Sequence, residues 1–259
     1  MVEAAMAAPP ILVLGGTGEA RTLVDRLAQA GHRDVRLSLS GATQTPALPA
    51  AGLVRTGGFG GAQGLADYLK RERIALLIDA SHPYAAQITA HAHTAAQQAG
   101  LPLLRFSRLP WTACTGDRWI TAADHRQAAD MLARFGARCF LSIGRKEVAA
   151  YADCRDQWFL IRSIEPPDPG AAPARHRWIS ARGPFDMAAE AALMREERID
   201  CLVTKNSGGD ATYGKIAAAR LLGLPVVMID RPPTPQDCTT TESIDDTLGW
   251  VTQQLSGSV

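Results

Sequence analysis

The feature that most constrains this chain is that parts of it occur twice. Arg73-Ile74-Ala75-Leu76-Leu77-Ile78 returns as Arg198-Ile199-Asp200-Cys201-Leu202-Val203, and Gly100-Leu101-Pro102-Leu103-Leu104 returns as Gly223-Leu224-Pro225-Val226-Val227. Both proline-bearing runs lead to an arginine, Arg108 or Arg231, close to a further proline. Upstream, Phe59 and the helix ending Tyr68-Leu69-Lys70-Arg71 are echoed by Phe185 and the helix ending Leu193-Met194-Arg195-Glu196. Matches in one order at a nearly constant offset indicate a duplicated unit. A length of 259 residues is generous for one core and suits two domains.

Within each copy, short aliphatic runs alternate with alanine-rich amphipathic stretches, the pattern of a parallel α/β sheet. Five strands are predicted in the first copy, at Ile11–Leu14, Val35–Leu39, Leu53–Arg55, Ala75–Ile78 and Leu103–Phe106. Five follow in the second, at Arg138–Ile143, Trp158–Ile161, Arg175–Ile179, Cys201–Thr204 and Val226–Ile229. The expected architecture is two Rossmann-like parallel-sheet domains, residues 1–112 and 113–259, hinged near Pro110–Thr121 with a ligand cleft between them. Residues 1–10 read as a loose arm. In such sheets ligands sit outside the carboxyl ends of the strands, where the strand order reverses.

Twenty-seven Lys and Arg against 26 Asp and Glu leave a net charge of +1, so no global field draws the protein to nucleic acid or to an anionic membrane. Anion binding must be local. The five cysteines form no CxxC pair, which argues against a disulfide framework and a structural zinc site; no metal is expected. The amino-terminal segment lacks the basic and apolar regions of a signal peptide, and no apolar run is long enough to span a bilayer. A cytoplasmic location is expected.

The first strand leads into Gly15-Gly16-Thr17-Gly18-Glu19-Ala20-Arg21 and then a helix. Glycines let the backbone turn tightly against a phosphate, and the helix N-terminus adds unpaired N–H groups. The third glycine of G-x-G-x-x-G is replaced by Arg21. The second strand ends in Ser38-Leu39-Ser40-Gly41 with no acid from Val35 to Val54, which favours NADP over NAD because nothing there repels a 2′-phosphate. The fourth strand ends in Asp79-Ala80-Ser81-His82-Pro83-Tyr84, where Ser81 can cap the next helix and Pro83 suits its first turn; alternatively Ser81, His82 and Tyr84 stand beside the reactive end of a cofactor. His91 and His93 point to different helix faces.

In the second copy the glycine turn becomes Gly144-Arg145-Lys146-Glu147. Thr204-Lys205-Asn206-Ser207-Gly208-Gly209 stands opposite the Asp79 loop, with Tyr213 and Lys215 beyond it, and the loop after the third strand offers Ser180, Arg182 and Gly183. Cations in three loops at one sheet edge suit a ligand rich in carboxylates.

Taken together, Gly15–Ala20, Asp79–Ala85, Gly144-Arg145-Lys146 and Thr204–Gly209 resemble the precorrin-6A reductase family, over about Ile11 to Pro232. The resemblance implies an NADPH-dependent reductase of one double bond of a ring-contracted tetrapyrrole, acting in cobalamin biosynthesis beside other corrin-pathway enzymes. It implies cofactor contacts from Gly15, Gly16, Thr17, Gly18, Glu19, Ser38, Ser40, Gly41, Ser81 and His82. Arg145, Lys146, Ser180, Arg182, Lys205, Asn206, Ser207 and Gly208 are the expected carboxylate clamps, and Lys205, His82, Tyr84 and Tyr213 the candidate proton donors. A short-chain-type reductase or epimerase would need a Tyr-x-x-x-Lys pair, which is absent; a non-catalytic nucleotide- or anion-binding module is the other alternative.

Overall fold

The computed structural model describes residues 8–41 and 45–256. Of the arm expected over 1–10, residues 1–7 lie outside them, and the Pro10 carbonyl already accepts from the Ala75 N–H at 2.8 Å.

The chain runs β1 (Ile11–Leu14), α1 (Gly18–Gln29), β2 (Val35–Leu39), β3 (Leu53–Thr56), α2 (Gly61–Arg71), β4 (Leu76–Asp79), α3 (Ala86–Ala99) and β5 (Leu103–Phe106). It continues with β6 (Arg118–Ala122), α4 (His125–Met131), β7 (Arg138–Ser142), a short 3₁₀ helix (Lys146–Tyr151), β8 (Trp158–Ser163), β9 (His176–Ser180) and α5 (Met187–Glu196). It closes with β10 (Cys201–Lys205), α6 (Gly214–Leu221), β11 (Pro225–Ile229), β12 (Thr239–Thr241) and α7 (Ile244–Ser256). Two six-stranded parallel sheets result, ordered β12-β5-β4-β1-β2-β3 and β6-β11-β10-β7-β8-β9. Both are doubly wound, and the order reverses beside β1 in one and β7 in the other.

Alternation along β1 explains the layering of the first sheet. Ile11 and Val13 join Leu23, Val24 and Leu27 of α1 and Val251 of α7 on one face, while Leu12 and Leu14 join Leu65 and Leu69 of α2 and Ala92 and Ala95 of α3 on the other. A strand buried on both faces reads as an unbroken aliphatic run, which is what Ile11-Leu12-Val13-Leu14 is. In the second sheet Phe140 and Leu160 pack with Met194 of α5 and Ile216 of α6.

The duplication extends to backbone conformation. Arg73 and Arg198, just beyond α2 and α5, both take φ 52°, and Gly100 and Gly223 both take φ 65°. At both arginines the chain reverses by the same bond, Ile74 N–H to the Leu69 carbonyl and Ile199 N–H to the Met194 carbonyl, each 2.9 Å. A left-handed non-glycine residue costs about 1–2 kcal/mol. Its recurrence at matched positions means the helix-ending geometry is common to both copies.

Two expectations are corrected. Each sheet has six strands rather than five, and the chain does not divide at 112/113: one compact unit comprises residues 1–108 and 232–259, the other 109–231. The cause is an exchange of edge strands. β6 follows β5 in the chain yet pairs with β11, while β12 follows β11 yet pairs with β5. The matching helices go with them: Asp124 caps α4 through the Gln127 N–H (2.8 Å), and the Ser243 hydroxyl accepts from the Asp246 N–H at the start of α7 (3.0 Å). Residues 118–122, expected to be part of a hinge, are therefore an edge strand.

Because Val251 is fully buried in the first unit, Val251→Asp should cost that unit roughly 3–5 kcal/mol by placing an unpaired charge in its core. Hydrogen exchange should accelerate in β1 and β4 and stay slow in β7 and β10; the reverse pattern would refute the assignment.

Candidate functional site

At the switch point of the first unit, the three glycines of the turn serve three purposes. A Cβ on Gly15 would lie 2.4 Å from Leu37 Cδ1 and 3.2 Å from Ala20 Cβ, so this glycine lets the turn pack. Gly16 has φ 120°, which a side chain would strain, and its missing Cβ faces open space. Gly18 needs neither, having only Arg21 Nη2 3.7 Å away, and it begins α1. Backbone is thus bare where a phosphate would approach, in front of a helix start with unpaired N–H groups. The Thr17 hydroxyl accepts from the Ala20 N–H and donates to the Ala80 carbonyl, both at 3.1 Å, joining this turn to the loop after β4. The Glu19 carboxylate, the one anion in the turn, accepts from Arg108 at 2.5 Å.

The loop after β4 is organised by a residue the sequence reading missed. Arg105, 3% exposed on β5, is ion-paired with Asp79 (Nη1 to Oδ1, 2.8 Å); Nη1 is shared among the Asp79 carbonyl (3.1 Å), the Ser81 carbonyl (3.2 Å) and Ser81 Oγ (3.1 Å), and Nη2 donates to the His82 carbonyl (3.4 Å). Asp79, itself buried, also accepts from the Ser81 N–H (3.0 Å) and the Thr89 hydroxyl (2.7 Å). Ser81 is therefore held inside this knot instead of capping a helix; α3 starts at Ala86 with no side-chain cap. His82 and Tyr84 lie on the more exposed side, rings 5.8 Å apart, and His82 Nδ1 accepts from the Tyr84 N–H at 3.3 Å. A charged residue in the run Leu103-Leu104-Arg105-Phe106, beside a strand ending in Asp79, was the available signal.

At the end of β2, Ser38 is buried and its hydroxyl accepts from Arg55 Nη1 at 2.8 Å, while Ser40 and Gly41 are exposed. The Gly57 N–H donates to the Leu39 carbonyl (2.9 Å), placing the loop after β3 alongside.

The second unit repeats the geometry with other chemistry. Gly144 has φ 106°, matching Gly16, and a Cβ there would meet Glu147 Oε2 at 2.9 Å and approach Lys205 Nζ at 3.7 Å. Lys205, at the end of β10, donates to Glu147 Oε1 at 3.0 Å, so the turn that is bare in one copy roofs an ion pair in the other. The helix that follows is a single 3₁₀ stretch, Lys146–Tyr151. His125 at the start of α4 is held below its ordinary value of 6.5, first by burial and then by the positive charge of Lys205, and its Nδ1 lies 3.3 Å from the Tyr151 hydroxyl. Burial drives the Tyr151 phenol well above the usual range.

The Lys205 loop is tied to both ends of its unit. The Asn206 side chain accepts from the Trp111 N–H (2.8 Å) and donates to the Trp111 carbonyl (3.0 Å), and the Trp111 indole donates to the Gly209 carbonyl (2.9 Å). Arg231 donates to the carbonyls of Asn206 (2.7 Å) and Ser207 (3.1 Å). Gly208, φ 69°, admits no side chain because a Cβ would overlap the Leu109 carbonyl. Asn206 and Gly208 thus shape the loop through which Lys205 and Ser207 are presented. Arg145 and Asp168 stand 4.0 Å apart, Lys146 and Arg182 are exposed, and the Ser180 hydroxyl donates to the Ile164 carbonyl at 2.9 Å. Tyr213 is not brought to this edge: its hydroxyl accepts from Arg220 Nη2 at 2.6 Å, and Arg220 is fixed on Asp117, just before β6. Its ring lies tilted against Trp111, centroids 5.8 Å apart and planes at 58°.

The structure is a doubled dinucleotide-type fold with a glycine turn at one switch point and a lysine–glutamate pair at the other. The family model described as "Precorrin-6x reductase CbiJ/CobK" matches residues 10–252. A precorrin-6A reductase of Rhodococcus erythropolis is 49% identical, covering 93% of this chain and 96% of that protein. A cobalt-precorrin-6A reductase of Salmonella typhimurium is 31% identical over 86% of this chain and 87% of its own. A solved structure of CobK precorrin-6A reductase superposes with a TM-score of 0.86 at 40% identity, covering 95% of this chain and 97% of that one. The chain belongs to the precorrin-6x reductase family.

The duplicated positions supply their own control for the Arg105 knot, since Asp79 and Arg105 correspond to Thr204 and Met228. Arg105→Met should cost about 3–5 kcal/mol by stranding a buried carboxylate, and adding Asp79→Thr should recover most of it. Urea unfolding of both variants checks this; a double variant no better than the single one would show that the pair is not the cause.

For His125 the folded pKa lies below the unfolded one, so the unfolded chain takes up the proton first. Stability present above pH 6.5 should fall as pH drops from that value toward the lower folded one. His125→Gln should remove that part of the acid slope in thermal melts just below pH 6.5; an unchanged slope would contradict it.

Proposed function

We propose that this protein is the NADPH-dependent precorrin-6A reductase of a cobalamin pathway, reducing one ring double bond to give precorrin-6B. The observation that carries this reading is the divergence of one turn: bare Gly16 and Gly18 in the first unit, Gly144 over Lys205 and Glu147 in the second. One copy suits a pyrophosphate, the other the carboxylates that fringe a tetrapyrrole. The metal-free substrate is favoured, since the identity to the Rhodococcus precorrin-6A reductase, 49%, exceeds the 31% to the Salmonella cobalt-precorrin-6A reductase.

The residues of the first unit fit a dinucleotide: the Gly16-Thr17-Gly18 backbone and the start of α1 would hold the pyrophosphate, and Arg108 neutralises the nearby Glu19 carboxylate. NADPH supplies the hydride when bound. In the second unit, Arg145, Lys146, Arg182 and Ser207 would orient the acetate and propionate groups, a contribution from positioning. Lys205, held by Glu147, is the proton donor we favour; His82 and Tyr84 remain further candidates in the first unit, whereas the Tyr213 hydroxyl is engaged by Arg220 away from this edge. No described helix is long and apolar enough to cross a membrane, and the five cysteines are unpaired, which supports assignment to the reducing cytoplasm.

The test is a spectrophotometric assay in which precorrin-6A and NADPH are consumed in equal amounts. Lys205→Ala should lower turnover by about 10²-fold or more while NADPH affinity is unchanged. Absence of NADPH oxidation in the wild-type protein would overturn the reading, and full turnover in the variant would remove Lys205 from the chemistry.

A further inference from the structure

We propose that Arg55 recognises the 2′-phosphate of the dinucleotide and sets the preference for NADPH over NADH. This rests on reading the first unit as the cofactor site. From Leu37 to Leu69 the sequence contains one cation, Arg55, and one anion, Asp67. Within that stretch the positive charge comes from β3.

The guanidinium of Arg55 is held by neutral groups alone. Nη1 donates to Ser38 Oγ (2.8 Å) and to the Gly57 carbonyl (2.9 Å), Nη2 donates to the Gly58 carbonyl (3.2 Å), and Cζ lies over the Phe59 ring, 3.9 Å from its centroid. An arginine carries five N–H donors. Three are thereby engaged, leaving Nε–H and one on Nη2 without a partner among the described residues. That same Nε/Nη2 edge holds a carboxylate in two other arginines of this chain: Arg36 grips Asp34 (2.8 and 2.9 Å) and Arg220 grips Asp117 (2.9 and 3.1 Å). Arg55 has the fork, and among the described residues no anion fills it.

Its position is the relevant one. The Gly15 N–H of the phosphate-binding turn donates to the Ser38 carbonyl (2.9 Å), and the Ser38 side chain is bonded to Arg55, so two hydrogen-bonded steps lead from the pyrophosphate turn to the guanidinium. In a doubly wound sheet the adenosine ribose lies over the end of the second strand, where an acid reads a 2′-hydroxyl and an arginine accommodates a 2′-phosphate. Ser38 is then the group that aims the arginine, and the ring of Phe59 packs against it.

Calorimetric titration of the full-length protein with NADPH, NADH and adenosine 2′,5′-bisphosphate tests this without turnover. In Arg55→Gln, affinity for NADPH and for the bisphosphate should fall about 10–100-fold while NADH affinity is unchanged; Arg55→Lys, which keeps the charge and loses the fork, should fall between. An unchanged NADPH-to-NADH ratio, or equal losses for both cofactors as expected of a merely loop-supporting residue, would overturn the assignment of Arg55 while the cofactor site stands. Wild-type protein that binds neither dinucleotide would overturn the site and this inference together.

Discussion

The first unit depends on one buried guanidinium. Placing Arg105 and Asp79 out of water is costly, and the cost is offset only because the acceptors around the arginine satisfy it: the carboxylate, the Ser81 hydroxyl and the carbonyls of Asp79, Ser81 and His82. Those acceptors belong to the loop that borders the switch point. Charge satisfaction and loop shape are consequently one event, and the backbone from Asp79 to His82 cannot relax without exposing an ion to apolar surroundings. Thr17 extends this fixed frame to the glycine turn through the Ala80 carbonyl.

The second unit solves the same problem differently. With Thr204 and Met228 at the matching strand positions, no ion is buried there, and the loop after β10 is held from outside by Trp111 and Arg231. Freed of that knot, the position after Thr204 carries Lys205, whose charge is balanced by Glu147 below Gly144. At this one position the two copies thus differ in where the charge sits: in the first it is buried against Asp79 and the loop after β4, in the second it is Lys205, one residue further on and paired with Glu147.

Much of this was legible in the sequence. Aliphatic runs such as Ile11–Leu14 are buried on both faces, so composition alone marks them as strands, and the glycine turn and its altered copy were recognisable by alignment of the halves. What escaped was whatever depends on a neighbour distant in the chain. β12 is three threonines, a short hydroxyl-bearing edge strand with no apolar period, and β6 follows a loop rich in turn residues; the partner each chooses is a tertiary decision that local propensity does not encode. Likewise Ser38 and Ser40 read as a polar turn, but burial of Ser38 against Arg55 is visible only when β3 lies beside β2. The bond of the Tyr213 hydroxyl to Arg220 was not legible either, because it depends on helix phase and not on proximity in sequence to Lys205.

The exchange of edge strands has a consequence for biosynthesis. The unit spanning 109–231 is continuous, so every strand of its sheet is translated before β12. The other unit begins first and finishes last: until residues 232–259 emerge, β5 presents an unpaired border and the α1 face lacks the covering of α7. The nascent protein therefore carries an adhesive, half-clad sheet through the whole synthesis of its sibling, and its yield in the cell should respond to chaperones that shield such borders.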